Sequence, residues 1–293
     1  MPPPLIADIS SYDRVIDFER AKAEGGITGV IARLGLGFNG DAYFARNLVR
    51  SAEAGLPFSP YYVLFPEYDR NQQIEVLHVQ LHTLGWNPRG YLIPPSPEVP
   101  NGVGNRLWID CERTELSITQ TASQTLAFLQ ALEAHLAGPA HGGEFARPGV
   151  YTNSSYWGSK IGNTTWARNY PLWVAHYTTA PQPIIPIGWT TYELWQYTER
   201  GAIPGYPRQP AADLSRANVP TLPSVLFRVV VGGNLRRGAS TSFGVIRFIG
   251  VGETVGKTGR QAGIAPDIWY EIIDRNGVTG WIWDPGHKLV ALS

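Results

Sequence analysis

RLWIDCERTELSITQTASQTLAFLQALEAHLAG, residues 106–138, is an apolar run that ends in two carboxylates, turns through polar residues and enters a segment with apolar positions at helical spacing. Strand followed by helix is one β/α unit, and it places Asp110 and Glu112 at the C-terminal end of the strand. Side chains alternate between the faces of a strand, so Asp110 and Glu112 are expected on one face and Cys111 on the other. Two carboxylates on one face repel, and repulsion with partial desolvation raises the pKa of at least one of them.

The same alternation recurs upstream. LIADIS (5–10) leads into SYDRVIDFERAKAEG, GVIARLGLG (29–37) into DAYFARNLVRSAEAG, and PFSPYYVLF (57–65) into NQQIEVLHVQLHTLG. Downstream come RPGVYTN (147–153), PLWVAHY (171–177), YELWQYT (192–198) and ADLS (212–215), the last three with little room for helices between them. Eight strands, the first five separated by helices, predict an α/β fold: an irregular TIM-like β/α barrel, regular at its start and irregular at its end. Reactive residues of such barrels gather at the C-terminal strand ends. Asp8, Asp110 and Glu112 are expected there with Tyr151 and Tyr177, and Asp213 supplies a fourth acid in PAADLS.

Carboxylates collected from distant strand ends suit glycoside hydrolysis, in which one carboxyl protonates the leaving oxygen while others stabilise or attack the oxocarbenium carbon. Composition removes several alternatives. The chain has 293 residues, 43% hydrophobic and 12% aromatic, enough for one large domain and a small one. With 24 basic and 24 acidic residues there is no global field to favour nucleic acid or an anionic membrane. The single cysteine forms no intrachain disulfide and is expected to be a buried structural thiol. MPPPLIADIS has neither a charged nor an apolar signal region, and no stretch has the length to span a bilayer, so a soluble chain made in the cytoplasm is expected. Asn153 and Asn163 head Asn-x-Ser/Thr triplets, which carry no weight without a secretion signal.

The Pro/Gly-rich stretch 92–105 reads as a structural excursion on the face opposite the site, and VPTLPS (219–224) as a linker. Beyond it short apolar runs divided by glycines, VLFRVVV, FGVIRFIG, IWYEIID and GVTGWIW, spell a small all-β barrel. Residues 225–293 hold eight Lys/Arg against five Asp/Glu, leaving 16 against 19 in the first 224. Two other patterns carry little. Gly35, Gly37 and Gly40 fit G-x-G-x-x-G, but no acidic strand end follows at the spacing a dinucleotide site needs. His78 and His82 lie four apart on a helix, yet Val79 stands where a zinc protease needs glutamate, so a solvated helix face is expected. No metal and no cofactor is required.

With these residues in view, positions 5 to about 219 resemble the glycoside hydrolase family 25 lysozymes. The resemblance is carried by ADIS with Asp8, AEAGLPFSPYY with Tyr61, WIDCE with Asp110 and Glu112, VYTN with Tyr151, LWVAHY with Tyr177, LWQYT with Gln196 and AADLS with Asp213. It implies cleavage of the β-1,4 bond between N-acetylmuramic acid and N-acetylglucosamine of bacterial peptidoglycan. Glu112 would be the general acid, Asp110 would orient it, and Asp8 and Asp213 would shape the charge at the anomeric carbon. Tyr61, Tyr151, Trp173 and Tyr177 would line the groove, with Gln196 a further substrate contact. Leu36 stands where the family often has an acidic residue, and Tyr62 where it often has histidine.

NLRRGAST, WYEI and GWIW resemble a bacterial SH3-like domain, which would bind wall peptide. The expected organisation is a catalytic barrel over 1–219, a linker at 220–224 and the SH3-like domain over 225–293. A monomer is expected, acting on the wall and released through a holin if phage-encoded. A non-catalytic wall-binding lectin and an N-acetylglucosaminidase on the same polymer stand as the alternatives.

Overall fold

The computed structural model describes residues 4–84, 91–94, 103–137, 147–207, 210–218, 226–263, 267–274, 278–286 and 288–291. These fall into two compact units, the first holding the described residues up to Asn218 and the second those from Leu226 onward. The expected linker at 220–224 lies outside the described residues.

In the first unit, runs rich in Val, Ile, Leu and aromatics form strands largely buried on both faces, as a barrel wall requires. Its strands are β1 (Leu5–Ile9), β2 (Ile27–Leu36), β3 (Asn39–Gly40), β4 (Phe58–Val63), β5 (Tyr91–Ile93), β6 (Val103–Gly104), β7 (Trp108–Asp110), β8 (Gly149–Asn153), β9 (Leu172–Ala175), β10 (Leu194–Gly201) and β11 (Ala212–Ala217). Eight of them close a barrel in the order β1-β2-β4-β7-β8-β9-β10-β11, with β11 returning to pair with β1. These are the eight strands expected from the sequence. Neighbours from β1 to β10 run parallel, whereas β11 is antiparallel to both β10 and β1.

Helices α1 (Phe18–Ala23), α2 (Phe44–Glu53), α3 (Arg70–Leu84), α4 (Ile118–Leu136) and α5 (Ser154–Lys160) fill the crossovers. Local chemistry fixes where they begin. Ser117 and Gln120 form a capping box at the start of α4, and the Asn153 side chain accepts the Tyr156 N–H at the start of α5. Helix α5 was not expected from the sequence, and Asn153, met there only as a triplet head, is its cap. Phe128, Leu129, Leu132 and Leu136 of α4 join Leu77 and Leu81 of α3 and the strand residues Ile109 and Val150 in one core. At Gly149 a Cβ would lie 2.3 Å from the Trp108 ring, so only glycine lets β8 pass that indole.

Three smaller expectations are resolved by the geometry. Strands β5 and β6, at the ends of the Pro/Gly-rich stretch, pair antiparallel; residues 95–102 between them lie outside the described residues. Gly35 and Gly40 face one another across the β2–β3 hairpin, with Gly37 at φ 52° in its turn, so the three glycines serve a tight turn. His78 is half-buried rather than fully solvated: its Nδ1 lies 3.1 Å from His135 Nε2, tying α3 to α4, and the His82 side chain lies outside the described residues.

The second unit is a seven-stranded sheet of β12 (Leu226–Val229), β13 (Gly233–Arg236), β14 (Val245–Ile249), β15 (Thr254–Ala262), β16 (Ile268–Asp274), β17 (Thr279–Asp284) and β18 (Leu289–Ala291). The order is β14-β13-β17-β16-β15-β12-β18, around a core of Val229, Leu235, Ile249, Val255, Ile272, Ile282 and Leu289. This is the small all-β unit the glycine-divided runs predicted.

Candidate active site

Strand β1 carries Asp8 one residue before its end, and the β1–β11 register sets Asp8 directly opposite Asp213. Because β11 runs antiparallel, its N-terminal half lies beside the C-terminal end of β1. The eighth strand therefore delivers its acid to the same rim as the parallel strands do. Asp110 ends β7, and Glu112 follows two residues later. The expectation of a shared strand face is corrected here: the strand stops at Asp110, so Glu112 projects from the connecting segment and is exposed, whereas Asp110 is 5% exposed. Cys111 is buried, as expected, and its thiol is pushed well above the ordinary range by that burial and by Asp110.

The four carboxylates form one electrostatic group. Burial raises Asp8 well above the usual carboxylate range, and Asp213, Asp13 and Asp110 add to it. Asp110 is likewise held well above that range by burial, then by Glu112, with Arg113 and Arg33 opposing. Glu112 is raised by the protein mass around it, against Arg113, and Asp213 is pushed up to about 7 by burial, Asp13, Glu199 and Glu112. One Asp110 oxygen is buried without a hydrogen-bond partner, consistent with a carboxyl kept neutral.

Gln196 organises the floor. Its Oε1 accepts the hydroxyls of Tyr151 and Tyr177, each at 2.8 Å, which fixes the amide so that Nε2 donates to both oxygens of Asp8 at 2.9 and 3.1 Å. Two phenols from β8 and from the segment after β9 thus orient a carboxylate on β1 through one buried amide. Tyr61, two residues before the end of β4, is only partly buried and feels Asp8 and Asp110. Tyr177 is 48% exposed.

Three expectations about the lining change. Trp173 does not line a groove: it is 1% exposed, its Nε1 donates to Ser215 Oγ at 2.9 Å, and its ring supports Tyr61 and Tyr151 edge-on at 6.3 and 4.5 Å. Gln196 is also buried, and its contact is with Asp8. Tyr151 is 6% exposed with its hydroxyl turned to Gln196, so of the aromatic set Tyr61 and Tyr177 remain open to a ligand.

The sequence reading missed Asp13, Glu199, Arg33 and Asp41. Asp13 closes a capping box with Ser10 just after β1, a signal present in Ser-x-x-Asp, and raises both Asp8 and Asp213. Arg33 is a cation in the middle of an otherwise apolar strand. Its guanidinium pairs with buried Asp41 at 2.8 Å, donates to Ser11 Oγ at 3.1 Å and lies 5.0 Å from the Tyr12 ring centroid. Among the described residues no group of three or more His, Cys, Asp or Glu side chains is placed to hold a metal ion.

Residues 7–206 match the family model described as glycosyl hydrolases family 25. The chain belongs to that family. Residues 231–287 match the bacterial SH3 domain model. A curated relative, probable GH family 25 lysozyme 2 of Dictyostelium discoideum, is 35% identical over 98 residues, a match covering 32% of this chain and 43% of the relative. The chain thus matches less than half the length of that relative. Among solved structures, the bacterial lysozyme of Streptomyces coelicolor aligns at a TM-score of 0.56 and 19% identity over 74% of this chain and 93% of its own. The muramidase of Acremonium alcalophilum aligns at 0.55 and 20% identity, over 73% and 93%. At these identities the two structures speak to the family 25 barrel fold.

The raised acids predict a pH signature in stability. A carboxyl whose folded pKa is about 7 against an ordinary 3.8 is protonated in both states below pH ~4, and then contributes no penalty. As pH rises toward 7 the unfolded chain ionises first, and stability is lost until the folded form also ionises. Asp213→Asn is expected to stabilise the protein by about 1–2 kcal/mol above pH ~7, with the gain vanishing near pH ~4. Thermal melts of both proteins across that range check it; a gain independent of pH would remove the titration as its cause.

Proposed function

We propose that this family 25 glycoside hydrolase is a peptidoglycan muramidase, cleaving the β-1,4 bond between N-acetylmuramic acid and N-acetylglucosamine. The observation that carries the reading is the ring of Asp8, Asp110, Glu112 and Asp213 at one rim of the barrel, with pKa values raised by burial and mutual repulsion. Glu112 serves as general acid: it is the exposed member, reachable by a glycosidic oxygen, and its raised pKa keeps a proton available. Asp110, buried and two residues away in sequence, has its pKa raised by burial and by the Glu112 charge, so the two carboxyls resist ionising together. Asp8, held by Gln196, and Asp213 share that rim, and in their ionised forms stabilise positive charge as the bond to the leaving sugar breaks. Tyr61 and Tyr177 offer aromatic surface to the C–H faces of sugar rings.

The test is digestion of purified peptidoglycan, borohydride reduction and mass spectrometry of the new ends. Reduced N-acetylmuramic acid is expected. Reduced N-acetylglucosamine ends would reassign the bond, and no new ends on walls of several compositions would leave a wall-binding barrel without turnover.

A further inference from the structure

The second unit carries a recess of its own, about 250 Å³, built from β13, β14, β16, β17 and the turn before β18. Its walls are Phe248, 60% exposed, Trp269, Ile282 and Trp283, 36% exposed, with Arg236 and Lys288 at the edge. The register makes it a built feature: Trp269 lies directly opposite Trp283 on β16 and β17, and Asn234 opposite Phe248 on β13 and β14. Lys288 Nζ sits 4.6 Å from the Trp283 ring centroid, and the Lys288 backbone N–H donates to Asp284 Oδ1 at 2.8 Å. One Arg236 nitrogen, Nη1, donates to the carbonyls of Thr241 and Phe243 at 3.1 and 2.7 Å, which holds the guanidinium in place without neutralising it.

Arg247 of the same unit shows the contrast, since Asp274 and Glu253 neutralise it at 2.6 and 2.7 Å. Among the described residues neither Arg236 nor Lys288 has a carboxylate at ion-pair distance. Two fixed cations without counter-ions, beside aromatic walls, suit an anion carried on a small apolar body. The volume lies below the roughly 300–1,000 Å³ of sites for drug-sized ligands, so one or two small residues fill it. We propose that this recess binds the C-terminal end of a peptide with a free carboxylate, the carboxylate between Arg236 and Lys288 and small apolar side chains on Trp269, Trp283 and Phe248. The exposed Asn234 amide can pair with a peptide group. That the natural ligand is a wall peptide rests on the function proposed above; the ligand chemistry of the recess does not.

The full chain is titrated with N-acetyl-alanyl-alanine, in the L and D series, as free acid and as C-terminal amide, and with glycerol 3-phosphate. The indole N–H resonances of Trp269 and Trp283 are followed by NMR. Saturable shifts with the free acid are expected, at least tenfold weaker with the amide and in Lys288→Glu. Binding that ignores amidation, no saturation, or saturation by glycerol phosphate alone would overturn the proposal, the last in favour of a phosphodiester polymer. Arg236→Ala removes the anchor of the 241–243 turn, so Lys288→Glu is the primary variant and its amide spectrum reports folding. Cleavage of soluble glycan, measured in parallel, is expected to be unchanged in Lys288→Glu. Lost cleavage with intact peptide binding would count against the muramidase reading alone.

Discussion

Glu112→Gln is expected to reduce peptidoglycan turnover by about 10²–10⁴-fold, the range that loss of a general acid produces, while binding to the wall stays largely intact. Glutamine keeps the shape but has no acidic proton to give to a departing sugar oxygen. The competing candidate is Asp110, whose pKa is raised further, yet Asp110 is buried and Glu112 is the exposed member. Initial rates on soluble glycan fragments, with wall pull-down alongside, separate chemistry from binding. Undiminished rates in Glu112→Gln and a collapse in Asp110→Asn would move the acid role to Asp110. Loss of both rate and wall binding would mean that Glu112 is needed for the rim's structure. A bell-shaped rate profile whose basic limb disappears in Glu112→Gln residual activity would tie that limb to this proton.

Asp41→Ala is expected to destabilise the protein by about 3–5 kcal/mol, as removing one partner of a buried ion pair does. Asp41 accepts from the Arg33 guanidinium at 2.9 Å and from the Ser11 and Tyr43 amides at 3.1 and 2.8 Å, so its loss leaves a buried cation and two backbone donors unmet. Arg33 is also one of the charges that oppose the upward shift of Asp110. Released from Asp41, it is free to turn toward the acids and lower their pKa values further. Chemical denaturation measures the first effect and the acidic limb of the rate profile the second. A stability change under 1 kcal/mol would show that water already solvates the pair. Asp41→Asn, which keeps the side chain's shape, is expected to fall between the two.

The barrel was legible because its strands are continuous apolar runs of the right length, and the strand-end acids stood out as polar punctuation on them. Helix α5 was not, since SSYWGSK is short and its start depends on one Asn153 side chain rather than on periodicity. The direction of β11 was equally hidden. ADLS reads the same in either orientation, and only its pairing with β1 and β10 decides where Asp213 goes. The burial of Trp173 was beyond reach for a related reason: an aromatic on an inward strand position suits a lining and a core alike, and Ser215 beneath it settles the matter. Arg33 could have been flagged, because a lone cation inside an apolar strand demands a partner.

Strand β11 occupies 212–217, beyond the span 7–206 matched by the family model, and it pairs with the first strand of the chain. Asp8 and Asp213 are among the most widely separated partners in the barrel, and contacts of that sequence separation close late in folding. A chain still emerging from the ribosome carries Asp8, Asp110 and Glu112 but has an open edge where β11 belongs. The acid ring therefore has its full charge arrangement only when the first and last strands of the barrel meet.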